Sequence, residues 1–329
     1  MAGEDSMSTA RPELEWMSLR VESATPIAQD IHMLELRDPT GRDLPPFIAG
    51  AHIVVRVPNG QERRYSLCND PAERDRYVIA IKREHNGRGG SISLIERTKA
   101  GDEILASPPR NDFALTGRPA RYLFIAGGIG ITPIRSMVKQ LMAAGGPPFK
   151  LYYLCRTPAM MAFREEFSSP EFRGKVVLHF DEGDPAKAFD LWPVLEEPKG
   201  AHLYCCGPRG LMAAVRDMTG HWSSSAVRFE DFGAGRTTNS ADDTPFVVKL
   251  AKTGESFEVP VGKSILEVLR QHGHYVSSSC ESGTCGTCRT KLVAGEADHR
   301  DLVLSDHERG REIMVCVSRA RTGELVLDL

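Results

Sequence analysis

The sequence predicts three domains in series: an antiparallel β-barrel, a parallel α/β sheet and a small metal-binding α+β domain. Three observations predict them. Short β-like runs broken by turns fill the first third of the chain. A continuous apolar run, Tyr122-Leu-Phe-Ile-Ala126, then opens an alternation of strand and helix patterns. Four of the eight cysteines fall together between Cys280 and Cys316. A chain of 329 residues also exceeds what one hydrophobic core usually holds.

The barrel is expected over residues 1–117. Its strand-like runs are Ala51–Val57, Arg63–Cys68 and Tyr77–Lys82, with Pro58-Asn-Gly60 as a turn. A helix is expected from Ser91 to about Lys99, entered through Gly87-Arg-Gly-Gly90. The α/β domain is expected over 118–232. There the apolar strand ends in Gly127-Gly-Ile-Gly130, and Ile134, Met137, Val138 and Leu141 recur at the spacing of one helix face. Thr132 reads as the N-cap of that helix and Pro133 as a first-turn residue. Further strands are expected at Lys150–Leu154, Lys175–His179 and His202–Cys206. Residues 233–245 are small and polar without apolar periodicity and read as a linker. The third domain, 246–329, should begin with a hairpin turning at Lys252-Thr-Gly254. It should continue into a short helix opened by the capping box Ser264-Ile-Leu-Glu267 and closed by Gly273.

Charge and hydropathy exclude whole classes of function. The formal net charge of -3 and interspersed signs do not make the basic face that a nucleic acid requires. No run approaches the roughly 18 apolar residues of a membrane span, and Met1–Glu13 has no leader-like apolar core, so a cytoplasmic location is expected.

In a reducing compartment a cysteine cluster reads as metal or redox chemistry before it reads as disulfides. Cys280, Cys285 and Cys288 stand in C-x4-C-x2-C spacing with Cys316 as a distant fourth, the arrangement of plant-type [2Fe-2S] ligation. Three thiolates from one loop and one from a separate element can surround a pair of irons. Gly283 and Gly286 give the loop its freedom, and the small Ser and Thr residues let amides approach the sulfurs. Structural zinc is the alternative, although zinc motifs favour paired C-x2-C knuckles.

With this motif and this domain order, the chain resembles the phthalate dioxygenase reductase family, the flavin-containing reductases of Rieske oxygenase systems. The resemblance implies a β-grasp ferredoxin-like third domain, FMN as flavin, NADH as donor and a Rieske-type oxygenase as protein partner, acting on an aromatic acid or a related small molecule. Arg64-Tyr-Ser-Leu67 resembles the R-x-Y-S flavin motif of the wider superfamily. Arg64 offers a cation for the phosphate, Tyr65 a stacking ring and Ser66 a hydroxyl near the reactive ring nitrogen. Ile81 and Lys82, followed by Gly89, Gly90 and Ser91 at a helix N-terminus, form a second flavin element. Free amides and the helix dipole there favour a phosphate.

Gly127, Gly128, Gly130, Thr132 and Pro133 lie in a turn that lets the backbone approach a pyrophosphate, although a third Rossmann glycine is missing. This turn is similar to the superfamily's G-G-x-G-x-T-P, which places Thr132 beside flavin and nicotinamide. Cys206-Gly207-Pro208 resembles the C-G-P turn that borders the nicotinamide, so Cys206 would line the hydride-transfer site without attacking a substrate. Phe232 is the candidate aromatic cover for the flavin, with ordinary packing as the alternative. Arg156 could meet a 2'-phosphate, whereas Asp181 and Glu182 would bind a ribose hydroxyl and repel that phosphate. The resemblance favours NADH.

Hydride arrives as an electron pair and an iron-sulfur cluster holds one electron at a time, so FMN is needed to convert between them. No general acid or base is assigned beyond Ser66, which could exchange a proton with solvent. Three rival readings are a stand-alone NADH oxidase or ferric reductase, a non-catalytic redox sensor, and a colourless zinc-stabilised binding protein.

Overall fold

The computed structural model describes residues 15–85, 87–232 and 243–329. The linker expected at 233–245 lies mostly outside these, as does the polar N-terminal stretch. Residues 15–232 form one compact unit, and the residues from 243 onward belong to another.

The first unit begins with β1 (Met17–Ala28), β2 (Ile31–Arg37), β3 (His52–Arg56), β4 (Glu62–Ser66) and β5 (Tyr77–Lys82), then α1 (Gly90–Arg97) and β6 (Glu103–Ala106). These strands make an antiparallel sheet in the order β4-β3-β6-β1-β2-β5. Its two outer strands meet through the bridge of Leu67 to Ile79 and the Cys68 amide donating to the Val78 carbonyl at 2.9 Å. That closure turns the sheet into a barrel and removes its edges. Leu34, Leu36, Ile53, Val55, Leu67 and Ile79 fill the interior, apolar residues at alternating strand positions. Helix α1 stops two residues before the predicted end because Thr98 is extended (φ -119, ψ 128).

The same unit continues with β7 (Arg121–Gly127), α2 (Ile131–Ala144), β8 (Phe149–Cys155), α3 (Arg164–Phe167), β9 (Val176–Phe180), α4 (Trp192–Leu195), β10 (Ala201–Cys206), α5 (Arg209–Met218) and β11 (Val227–Glu230). All five strands are parallel, in the order β11-β10-β7-β8-β9. From β7 the chain first builds outward through β8 and β9 and then returns to lay β10 on the other side. The carboxyl ends of β7 and β10 therefore flank the topological switch point, where open α/β sheets bind ligands. Helix α2 buries Ile134, Met137, Val138 and Leu141, the face the periodicity predicted. Thr132, however, is not the N-cap. A 3-10 turn over Gly128–Gly130 already brings the chain in with helical dihedrals, so Gly130 (φ -62, ψ -3) takes the cap position. Thr132 is the second helical residue, and its Oγ1 donates to the Ile129 carbonyl at 3.1 Å.

The second unit contains β12 (Phe246–Leu250), β13 (Ser256–Val259), α6 (Ile265–Gln271), β14 (Arg289–Ala294), β15 (Ala297–Asp298), α7 (Asp306–Arg309), β16 (Glu312–Met314), β17 (Arg319–Ala320) and β18 (Glu324–Leu327). The main sheet runs β13-β12-β18-β14-β16, with β12 and β18 parallel and the other pairs antiparallel. With α6 packed on it, this is the β-grasp arrangement expected. The capping box at α6 is formed: the Glu267 amide donates to Ser264 Oγ at 3.1 Å, and the Ser264 amide donates to the Glu267 carboxylate at 2.7 Å. Gly273 (φ +81) ends the helix in a Schellman motif, with its own amide bonded to the Arg270 carbonyl and that of His274 to Leu269. Among the described residues no helix is long and apolar enough to cross a membrane.

Candidate functional site

Strand β4 carries the first group of site residues. Alternation along the strand puts Arg63 and Tyr65 on one face and leaves Arg64 exposed on the other. Gly89 is left-handed (φ +79) and leads into α1 at Gly90. A Cβ at Gly90 would lie 2.6 Å from Arg63 Nε. It is thus Arg63, not Arg64, that stands at the amino end of α1. Burial, and then the neighbouring Arg88, lower the Arg63 guanidinium, which stays a cation. Ser91 Oγ accepts the Glu84 amide at 3.0 Å and fixes the turn before the helix. Lys82 pairs with Glu84 at 2.8 Å, and Ile81 is buried. The Tyr65 hydroxyl is buried without a hydrogen-bond partner among the described residues, and burial pushes the phenol far up. A ring with an orphaned hydroxyl, a cation and a helix amino end together fit a flat heterocycle bearing a phosphate.

The second group sits at the switch point. The two turns after β7 and β10 are pressed together backbone to backbone. A Cβ on Gly130 would be 2.1 Å from the Cys206 carbonyl oxygen, and one on Gly127 would be 2.6 Å from Pro208 Cδ. Thr132 is buried beside this contact, and Pro133 follows it in α2. Cys206 is fully buried; burial, and secondarily the Glu230 carboxylate, push its thiol well above the ordinary range. A thiol so buried and so raised is not an activated nucleophile. Cys68, Cys155 and Cys205 are buried too, each thiol raised first by burial. Ser66, buried at the end of β4, donates from Oγ to Glu230 Oε2 at 3.4 Å. The unit therefore brings the R-Y-S strand, the C-G-P turn and the end of β11 to one place. Phe232 is 45% exposed, so it is not a packed core residue.

Sequence reasoning missed two residues here. Arg63 was legible as the partner two positions before Tyr65 on one strand face. Glu230 had no local signal, because its partner Ser66 lies 164 positions away.

The third group is the cysteine loop. All four cysteines are free thiols and lie as two pairs. Within each pair the thiols share a hydrogen bond, Cys285 with Cys280 and Cys316 with Cys288, which lowers Cys280 and Cys288 and raises their partners. The pairing of Arg289 with Met314 across β14 and β16 sets Cys288 beside the segment that carries Cys316. Among the described residues, no three His, Cys, Asp or Glu side chains close on a single ion position. Two pairs of cysteine sulfurs, once deprotonated, suit two irons with two ligands each. The Ser282 amide lies 3.4 Å from Cys280 Sγ and the Cys280 amide 3.5 Å from Cys285 Sγ, while Thr287 Oγ1 is 3.2 Å from Cys285 Sγ. Gly283 (φ +78) passes so near the Cys316 turn that a Cβ would meet Val317 Cγ2 at 2.7 Å. Glu281 is held left-handed (φ +53), and Arg270 of α6 fastens it with an ion pair of 2.9 Å.

Comparison with known proteins matches residues 248–321 to the 2Fe-2S iron-sulfur cluster binding domain family and residues 124–217 to the oxidoreductase NAD-binding domain family. The chain is 57% identical over 322 residues to phthalate dioxygenase reductase of Burkholderia cepacia, covering 98% of this chain and 100% of that one. The chain belongs to the phthalate dioxygenase reductase family. A solved phthalate dioxygenase reductase structure, described as modular for electron transfer from pyridine nucleotides to [2Fe-2S], matches with TM-score 0.69 at 57% identity, covering 95% of this chain and 98% of that one. The vanillate O-demethylase oxidoreductase of Pseudomonas putida is 42% identical, covering 92% of this chain and 96% of that relative. The resemblance drawn from cysteine spacing and domain order is thereby borne out, and the chain is an NAD-binding, iron-sulfur oxidoreductase of this family.

Proposed function

We propose that this member of the phthalate dioxygenase reductase family is the reductase component of an oxygenase system, moving electrons from NADH through FMN and a [2Fe-2S] cluster to a separate protein. The partner is a Rieske-type oxygenase acting on an aromatic acid or a related small molecule, and the location is the cytoplasm. The barrel, the nucleotide domain and the ferredoxin domain divide the work at 1–117, 118–232 and 246–329. The single observation that carries this reading is the meeting of Ser66, the Gly127–Pro133 turn and the Cys206-Gly207-Pro208 turn in one unit, in a chain that also holds two pairs of cysteines.

When bound, FMN accepts a hydride and gives up electrons singly, and the cluster carries them one at a time. The chain's own residues hold and orient. Arg63 and the amides of Gly89, Gly90 and Ser91 would hold the phosphate, Tyr65 would face the ring, and Ile81 and Lys82 would bound the pocket. The close backbones of Gly127, Gly128, Gly130 and Gly207 leave room for the dinucleotide, with Pro208 shaping the second turn. Thr132 and Cys206 would wall the nicotinamide, Phe232 would cover the flavin, and Ser66, next to Glu230, could exchange a proton at the ring. Cys280, Cys285, Cys288 and Cys316 supply the iron ligands. The test is a visible spectrum: flavin bands over a broad iron-sulfur absorption, both bleaching when NADH is added. Transfer from the reduced protein should then require an oxygenase, and failure with every Rieske oxygenase offered would count against that partner.

Two further results are expected. Arg63→Ala should weaken FMN binding about 10- to 100-fold, the worth of about 1.5–3 kcal/mol for a charged hydrogen bond. Arg64→Ala should change it by less than about threefold, as exposed charges do. Recovery of flavin fluorescence on dilution measures both; equal losses would return the phosphate contact to Arg64. For the nucleotide, Asp181 at the end of β9 accepts the Gly183 amide at 2.8 Å, which fixes its carboxylate there. Its charge should repel a 2'-phosphate, giving NADH at least about a tenfold advantage in kcat/KM over NADPH, equivalent to about 1.4 kcal/mol. Asp181→Asn should narrow that ratio. A preference for NADPH would overturn the assignment.

A further inference from the structure

Arg135 lies one turn beyond Thr132 on α2, and its side chain is 14% exposed. Three partners fix it. Nη1 donates to the Cys68 carbonyl at 2.7 Å, Nε donates to Glu166 Oε2 at 2.8 Å, and the guanidinium covers the Phe163 ring at 4.3 Å. Lys139 also reaches Glu166, at 3.4 Å, so the carboxylate is anchored from two sides. The planar fork of an arginine makes such an arrangement rigid, where a lysine would give one movable contact.

What Arg135 joins matters more than how tightly it is held. Cys68 comes two positions after Ser66, on the strand end that closes the barrel against Ile79. Arg135 comes three positions after Thr132, on the helix that begins at the glycine turn. One side chain thus ties the end of the flavin strand to the start of the nicotinamide helix. A second polar link, Ser66 to Glu230, is long at 3.4 Å. The bond from the Ala49 amide to Gln140 joins the barrel to α2 further along the helix.

We propose that Arg135 is a positioning residue for the known chemistry, setting the separation between the Ser66 strand and the Thr132 turn through the Cys68 carbonyl. This rests on the functional reading above, in which those two elements face flavin and nicotinamide. Hydride transfer demands close approach of the reacting atoms, so a shift of this strap should slow the transfer while leaving each cofactor's own contacts intact.

The experiment compares wild type, Arg135→Met, Arg135→Lys and Glu166→Gln as full-length holoprotein. If wild-type flavin is not bleached by NADH, the functional reading fails; the proposal about Arg135 is judged on a wild type that does bleach. In Arg135→Met the limiting rate of flavin reduction at saturating NADH should fall about 30-fold. NADH and FMN affinities should stay within about threefold of wild type, because neither cofactor loses a direct contact. The long-wavelength absorption formed when NAD+ is added to the reduced protein, a readout of ring stacking, should weaken in parallel. Arg135→Lys should recover part of both signals. Should Arg135→Met not accumulate as folded protein, Glu166→Gln carries the test, with an expected fall of about three- to tenfold from a loosened guanidinium. A limiting rate within twofold of wild type in the folded variant, with the absorption band intact, overturns the proposal even if the melting temperature drops.

Discussion

Cys316→Ala should remove the iron-sulfur absorption and cut electron delivery to the oxygenase by at least about 100-fold, since a plant-type cluster needs all four thiolates. Reduction of the flavin by NADH should meanwhile stay within about twofold of wild type, because the residues proposed to hold flavin and nucleotide all belong to the other unit. Both halves of this expectation come from the architecture. Cys316 is buried just past β16, and the register of β14 against β16 is what brings it to Cys288. The residues between 15 and 232, among them every one proposed to hold flavin or nucleotide, form a unit of their own. Iron and acid-labile sulfide assays, with rapid-mixing flavin reduction on the same preparation, check the prediction. Retention of the cluster would show that another residue can take the fourth position; loss of flavin reduction would show that the two units do not act independently.

The elements that the sequence disclosed are those whose determinants are local. The C-x4-C-x2-C spacing, the capping box at Ser264 and the apolar face of α2 each lie within about ten residues, and each appears in the structure where the pattern put it. Thr132 shows how a local rule fails. Threonine before an apolar period reads as a cap, but the preceding Gly128–Gly130 turn already supplies helical geometry and moves the boundary. Adjacency in sequence points to Arg64 beside Tyr65, whereas strand alternation offers Arg63 as the cation on the tyrosine's face. Arg63 and Tyr65 share a side, and Arg64 does not. Glu230 beside Ser66 and Arg135 beneath Cys68 were beyond reach, since both contacts depend on how the barrel packs on the parallel sheet.

Gly130→Ala should lower kcat/KM for NADH about 100-fold, as a displacement of about 1 Å at a hydride-transfer site does. It should also destabilise the unit of residues 15–232 by about 1–3 kcal/mol through overpacking. Gly130 has ordinary helical dihedrals (φ -62), so the backbone itself does not demand glycine. Space does: the added Cβ would stand 2.1 Å from the Cys206 carbonyl oxygen, 2.4 Å from its carbon and 2.8 Å from the Gly207 amide nitrogen. All three are backbone atoms, which no rotamer change can move aside, so either α2 or the 206–208 turn must retreat. The two turns proposed to frame the nicotinamide would then separate. Gly145→Ala at the other end of α2 is the control. There φ is +58 and a Cβ would meet nothing within 4 Å, so the cost is a left-handed residue, about 1 kcal/mol of stability, with no effect on rate. Steady-state kinetics with NADH and thermal melts of both variants decide the matter. If Gly130→Ala behaves like Gly145→Ala, the close approach of the two turns is not what places the nucleotide.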